Sequence, residues 1–226
     1  ITGATKGIGR AIAELLAQKG FDIAVCARTA SDLNAMKKSF DNNYNVRTIV
    51  KQVDLSNKQA VKSFAQEVLS SWGKVDILIN NAGVFIPCVL SNPENEAAFE
   101  KMMDLNLYCT YYMTQSILPS MIEQKAGHIF NMCSIASTMP YGAYAVSKHA
   151  MLGFSKVLRE EVKDQGIRVT AVMPGATYTA SWEGTDLPKN RFIKAEDIAQ
   201  SVLDIYNLSA CTVVEEIVLR PQLGDI

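Results

Sequence analysis

The chain has 226 residues, of which 48% are apolar and 20% charged, a composition and length that suit an ordinary globular chain able to bury a core without disulfides. Its 22 basic and 23 acidic residues leave a formal charge of −1, and no basic block breaks that balance, which excludes nucleic acid as a partner. No apolar run reaches the length of a membrane span and no secretory leader is visible, so the expectation is a cytoplasmic chain that binds no membrane. The five cysteines, Cys26, Cys88, Cys109, Cys133 and Cys211, are scattered, odd in number and without metal-type spacing. They read as reduced, mostly buried thiols, and no metal site is expected.

Taken from the start, Ile1-Thr2-Gly3 is short for a strand leading into a loop, which suggests that the first strand is truncated. Residues 2–9 read TGATKGIG. Gly3 suits a tight turn, Gly7 lets backbone approach a pyrophosphate, and Gly9 permits close helix–strand packing. Thr5, Lys6 and Ile8 lie between them. Glycine-rich loops also form plain turns, but here the loop opens a helix on which Ile8, Ile12, Leu15 and Leu16 repeat at helical spacing. The free N–H groups of such a helix start suit an anion.

Short apolar runs then alternate with helical patterns. Residues 22–27, 46–50, 76–80, 128–133, 168–173 and 212–221 read as strands. Residues 30–40, 57–71, 96–124, 144–164 and 195–206 read as helices. This alternation predicts an α/β fold with a doubly wound parallel sheet covered on both faces, built as one domain over residues 1–226. Ligands of such sheets bind at the carboxyl ends of the strands.

The second strand ends Cys26-Ala27-Arg28-Thr29. A carboxylate at this place would bond the ribose 2′-hydroxyl of NAD. Arg28 stands there instead, with Lys6 in the glycine loop, and two cations suit a 2′-phosphate. The expected cofactor is therefore NADP(H) in preference to NAD(H). Asp54, followed by Leu55, could cap the next helix, as could Ser56, or bond an adenine amino group.

Residues 80–83 read NNAG and residues 144–148 read YAVSK. With the glycine loop, these motifs resemble the short-chain dehydrogenase/reductase family over essentially the whole chain. The segments RTASDL (28–33), PGATYTASW (174–182) and TVVEEIVLRPQLGDI (212–226) resemble a bacterial, sepiapterin reductase-like branch. The resemblance implies a Rossmann-type sheet of about seven strands and an oxidoreductase that reduces a ketone or aldehyde, a pterin side-chain ketone among the candidates. It places Asn81, Ala82, Gly83, Pro174, Gly175, Thr177 and Thr179 against the cofactor. It also implies a homodimer or homotetramer formed through the helices at 96–124 and 144–164 and the last strand.

The chemistry expected follows from charge. Hydride transfer to a carbonyl leaves negative charge on oxygen, which needs a proton donor and a hydrogen-bond donor. Tyr144 is the candidate acid. Lys148 lies four residues on, on the same helical face, and an ammonium beside a phenol favours the phenolate. In the family the matching lysine also holds the nicotinamide ribose. Ser134, at the end of the fifth strand, is the candidate oxygen donor, with Ser137 the less suited alternative. Asn106 matches a family asparagine whose backbone carbonyl holds a water leading to the lysine; by itself it is a mid-helix Asn with a mild propensity cost.

Tyr141 sits about 10 Å along the helix axis from Lys148, and reads as cleft-lining or as an exposed loop aromatic. Tyr178 and Trp182 begin a segment, about 180–192, expected to act as a mobile lid over the substrate. Only nine residues separate Ser134 from Tyr144, fewer than the family usually carries, which implies a shortened substrate loop or absent residues. His128, expected at a turn before a strand, and His149, on another helix face, are not catalytic candidates. Competing readings are a non-enzymatic NADP-binding regulator or scaffold, a 3-oxoacyl- or steroid-type dehydrogenase of the same family, and a nucleotide-sugar epimerase. The last would need a further substrate domain for which 226 residues leave no room.

Overall fold

The computed structural model describes residues 1–182 and 184–226. In chain order it forms α1 (Gly7–Gln18), β1 (Ile23–Ala27), α2 (Ala30–Asn43), β2 (Thr48–Gln52), α3 (Lys58–Trp72), β3 (Ile77–Asn80), α4 (Glu96–Met103), α5 (Cys109–Gln124), β4 (Gly127–Met132), α6 (Gly142–Val162), β5 (Ile167–Pro174), α7 (Ala195–Tyr206) and β6 (Glu216–Leu219). All strand pairs are parallel: β1 with β2, and β3, β4, β5 and β6 in sequence.

Ile1–Gly3 joins the two groups. The Thr2 amide donates to Ile79 O (3.0 Å), the Gly3 amide to Cys26 O (2.9 Å), and the Cys26 amide to Ile1 O (3.4 Å). The order is therefore β2, β1, residues 1–3, β3, β4, β5, β6. Six strands flank or follow a central position that three residues occupy, and the sheet changes direction there. That switch point is where an open α/β sheet leaves a crevice at its carboxyl edge.

Alternate strand residues feed two apolar layers. Ile79, Phe130 and Val172 pack with Ile12, Leu16, Phe40 and Val202 from α1, α2 and α7. Leu78, Ile129 and Val169 pack with Phe64, Val68, Met113, Ile117 and Leu158 from α3, α5 and α6. A sheet buried on both faces needs near-continuous apolar strands, which explains the short apolar runs. Two asparagines interrupt them, and their side-chain amide nitrogens donate across the sheet, while Asn80 Oδ1 stays buried without a partner among the described residues. Asn80 Nδ2 donates to Thr114 Oγ1 (3.0 Å) and Asn131 Oδ1 (2.9 Å), and Asn131 Nδ2 to Ser155 Oγ (2.8 Å).

Several boundaries differ from expectation for local reasons. β2 begins at Thr48 rather than residue 46, because Asp22 takes both the amide and the guanidinium of Arg47. β6 is shorter than 212–221: the Val214 carbonyl accepts from the Thr170 hydroxyl (2.6 Å), so the ladder starts only at Glu216. His128 lies inside β4, not before it. It is fully buried, stacked on Phe130 (3.9 Å between ring centres), with Nε2 2.8 Å from Thr170 Oγ1. Burial pushes its pKa down to about 3, so the ring is neutral. The expected helix over 96–124 is interrupted by a π turn at Asp104–Tyr108. No helix among the described residues is long and apolar enough to cross a membrane.

Candidate active site

The glycine loop runs from the central strand into α1. Gly3 has φ 63°, and a Cβ there would stand 3.0 Å from Ala82 Cα. At Gly9 a Cβ would collide with Asn81 Nδ2 and stand 2.7 Å from Gly3 O. This tightness is built from both sides: Asn81 Nδ2 donates to Thr2 O (3.0 Å) and Gly3 O (2.9 Å), while Thr2 Oγ1 accepts from the Asn81 and Ala82 amides (3.0 and 2.9 Å). The NNAG turn thus braces the glycine loop. α1 begins with no side-chain cap at Lys6, so its first N–H groups stay free to meet an anion.

The two cations proposed for a 2′-phosphate differ in state. Arg28 is exposed just beyond β1, its carbonyl accepting from Gln52 Nε2 (2.9 Å). Lys6 Nζ lies 3.4 Å from Asp32 in the first turn of α2, a partner that sequence reading did not identify. Asp54 does not cap α3: Asn57 does, through Ala60 N (3.0 Å). Asp54 instead bonds Ser56 Oγ (2.7 Å) and N (3.0 Å). Those bonds hold its carboxyl below the usual carboxylate range, with smaller pulls from Arg28 and Lys101. Leu55 is buried core beside it.

At the other end, α6 presents Tyr144 and Lys148. Lys148 is 4% exposed. Its Nζ donates to Met132 O (2.8 Å), touches Met151 Sδ (3.7 Å), and stands 5.8 Å from the centre of the Tyr144 ring. Gly83 lies tight against the Asn106 side chain: a Cβ there would be 3.0 Å from Asn106 Oδ1 and in ordinary contact, 3.6 Å, with Lys148 Nζ. Asn106 sits in the π turn rather than in a regular helix, a feature that often marks functional sites. Its side chain accepts from Val84 N (2.7 Å) and donates to Val84 O (3.0 Å) and Ser147 Oγ (2.9 Å). Ser147 in turn donates to Tyr144 O (2.8 Å). The structure therefore assigns the Asn106 side chain a clamping contact that sequence reading missed.

Ser134 follows β4 in extended conformation and opens a short turn, accepting from Ala136 N (3.1 Å). Ser137 is 2% exposed and its Oγ accepts from the Ser134 amide (3.3 Å), so of the two only Ser134 lines the cleft. Neighbouring Cys133 also lines it, but burial pushes its thiol up to about 11, despite an opposing pull from Lys148, and it stays protonated at neutral pH.

These groups border a cleft of about 710 Å³. Ile8, Tyr144, Tyr141, Pro174, Gly175, Thr177, Thr179 and Trp182 line it. Phe85, Cys88 and Ile226 line it too, and no local pattern points to them. Phe85 meets the Tyr144 ring edge-on at 5.1 Å. Cys88 arrives because its carbonyl accepts from Ala143 N (3.3 Å) at the start of α6. Gly175, whose amide donates to Leu219 O (2.7 Å), leaves room for Pro221 and Asp225, and so brings Ile226 to the cleft. Tyr178 is not among the lining residues: it packs on Phe192 (5.5 Å), with Lys189 over its ring. Trp182 packs on Phe192 (5.0 Å) as well and still reaches the cleft. The expected lid over 180–192 contains short turns at Ala180–Trp182 and Lys189–Arg191; Glu183 within it lies outside the described residues. A second hollow, about 330 Å³, lies beside Phe21, Trp72 and Ile1 at the amino ends of the strands, on the side remote from Tyr144.

Comparison with known proteins agrees with this geometry. The family model for short chain dehydrogenases matches residues 1–189. A sepiapterin reductase of Chlorobaculum tepidum is 35% identical over 237 residues, covering 100% of this chain and 96% of that protein. An alcohol dehydrogenase from the archaeon Thermococcus sibiricus, complexed with 5-hydroxy-NADP, superposes with a TM-score of 0.90 at 28% identity, covering 100% of this chain and 97% of that one. A 7α-hydroxysteroid dehydrogenase complexed with NADH and 7-oxo glycochenodeoxycholic acid superposes at 0.87 with 25% identity, covering 100% and 92%. The chain belongs to the short-chain dehydrogenase family and is an oxidoreductase with its Rossmann-like α/β fold.

Proposed function

We propose that this protein is an NADP(H)-dependent carbonyl reductase acting on a small-molecule ketone or aldehyde. The observation that carries this reading is that Tyr144 and Ser134 line one cleft with Ile8 of the glycine loop, while Lys148, buried behind it, stands 5.8 Å from the centre of the Tyr144 ring. The cradle fits a dinucleotide on its own evidence: Gly3 and Gly9 have no space for a Cβ, and the start of α1 is uncapped. Gly3, Thr5, Gly7, Ile8 and Gly9 would hold the pyrophosphate end. Arg28 and Lys6 would meet a 2′-phosphate, while Asp54 and Leu55 flank the adenine. Asn81, Ala82, Gly83, Pro174, Gly175, Thr177 and Thr179 would hold the nicotinamide end.

When bound, the nicotinamide supplies or accepts the hydride. The chain's own residues handle the oxygen. Ser134 Oγ donates a hydrogen bond to the carbonyl oxygen and steadies the charge that grows there. Tyr144 Oη gives that oxygen its proton. Lys148 Nζ, anchored on Met132 O, stands 5.8 Å from the centre of that phenol ring, where it steadies the negative charge left as the proton departs. Asn106 keeps the turn after Gly83 against α6, and so keeps Lys148 and Tyr144 in place. Tyr141 and Trp182 shape the substrate side, within a single domain.

The deciding measurement is NADPH oxidation by the unmutated protein and by Tyr144→Phe with one ketone. A drop of roughly 10²–10⁴-fold in kcat, with NADPH binding retained, is expected from loss of the acid. Full turnover by Tyr144→Phe would remove the mechanism. The exposed Tyr108, Tyr111 and Val157 on the α5–α6 side support assembly as a homodimer or homotetramer, which light scattering on the purified chain would read directly.

A further inference from the structure

We propose that the cleft selects an uncharged carbonyl compound bearing a ring, and rejects carboxylate-bearing analogues of it. This rests on the carbonyl-reductase reading above and names the substrate class for it. Among the described residues, no side chain lining the cleft carries a charge. Its substrate side is walled by Phe85, Ile86, Ile135, Tyr141, Trp182 and Ile226. Phe85 and Tyr141 remain 56% and 43% exposed, and Ile226 40%. Large apolar side chains left open around one mouth are the surface that an apolar ligand would cover.

The cations beside the cleft are engaged elsewhere. Lys148 Nζ is buried behind Tyr144 and held by Met132 O. Arg220, next to Gly175, is paired with Asp225. Lys189 lies over the Tyr178 ring. A carboxylate entering the cleft would shed water and meet no counter-charge on the side chains that line it among the described residues, which is costly, while a ring would meet aromatic edges and faces. The polar side chains that line the cleft are the hydroxyls of Ser134, Tyr144, Tyr141, Thr177 and Thr179, the Trp182 indole and the thiols of Cys88 and Cys133, with no carboxylate, ammonium or guanidinium among them.

The test uses a matched pair, methyl benzoylformate and benzoylformate, which share the ketone and ring and differ by one charge. Methyl pyruvate, the ester without the ring, is the third compound. Turnover with NADPH is expected to favour the ring-bearing ester over the anion by at least about 100-fold in kcat/KM, and over methyl pyruvate by about tenfold or more. Binding is read separately. The chain has two tryptophans, so Trp72→Phe leaves Trp182 as a fluorescence reporter inside the cleft. The ester is expected to quench it at concentrations at which the anion does nothing. Ile86→Arg should narrow the ester-to-anion gap about tenfold.

Equal or better turnover of benzoylformate, or of methyl pyruvate, would overturn the substrate class while leaving carbonyl reduction intact. Selective ester binding at Trp182 without NADPH oxidation would keep the class and sink the reductase reading. An ester that neither binds nor reacts would overturn the class.

Discussion

Lys148 and Lys6, which the proposed function assigns to the reacting end and the 2′-phosphate end of a dinucleotide, are held in opposite ways. Lys148 is 4% exposed, fixed by a backbone carbonyl, and walled by Gly83 and Met151. The Lys6 side chain is 69% exposed, and its partner among the described residues is the 30% exposed carboxylate of Asp32, 3.4 Å away. Burial and a backbone acceptor fix a cation before any ligand arrives. An exposed ion pair contributes little, about 0–1 kcal/mol, and yields readily to a stronger anion. The reacting end is therefore organised by the fold, whereas the recognition end is organised by what binds.

The sharpest way to break that contrast is to exchange the two lysines' fates. Lys148→Met is expected to lower kcat by roughly 10²–10⁴-fold. Lys6→Met should leave kcat in place and raise the KM for NADPH. Equal kcat losses in steady-state assays would erase the distinction between the two ends.

Next in size is the clamp behind Lys148. Asn106→Leu strips both the Val84 amide and carbonyl of their partner. An unsatisfied buried group costs about 1–3 kcal/mol; the two Val84 groups are part-buried, so urea unfolding should show a loss of about 1–3 kcal/mol. A loss under about 0.5 kcal/mol would mean that the π turn is held by something else.

At the recognition end the effects should be smaller and salt-dependent. Arg28→Asp is expected to raise the KM for NADPH about 10–100-fold, through loss of a bidentate phosphate contact, and to leave NADH use unchanged or improved. Similar use of NADPH and NADH by the unmutated protein would remove the case for a 2′-phosphate site. Smallest of all, Asp32→Asn frees Lys6, and the KM for NADPH should fall by less than about fivefold at low ionic strength. That gain should fade at high salt, because exposed charges are screened; a gain indifferent to salt would point to a change in backbone rather than charge.

The two ends also differ in how far the sequence disclosed them. The spacing of Tyr144 and Lys148, the glycine loop and the NNAG turn are local constraints. A helix puts residues four apart on one face, and Gly3 and Gly9 are required where two backbone segments touch. Those were legible, as were the strands and helices to within a few residues. Strand-end position favours Ser134 over Ser137 as the candidate donor; in the structure Ser134 lines the cleft and Ser137 is 2% exposed. The Lys6–Asp32 pair, the Asn57 cap in place of Asp54, the burial of His128 within β4 and the Asn106–Ser147 link were not legible. Most of these depend on segments meeting across the fold; the Asn57 cap depends on where the turn after β2 lets α3 begin.

By itself, then, the sequence determined the α/β alternation, the tight glycine loop and the helical spacing of the candidate groups Tyr144 and Lys148, because periodicity and glycine placement act over a few residues. Only the tertiary structure decided what walls the cleft. Phe85 and Cys88 come from the stretch after the NNAG turn and Ile226 from the far end of the chain, and they are held by contacts with later segments: the Tyr144 ring, the start of α6, and the space left by Gly175. Packing of that kind joins residues far apart in the chain, and no spacing along the sequence encodes it.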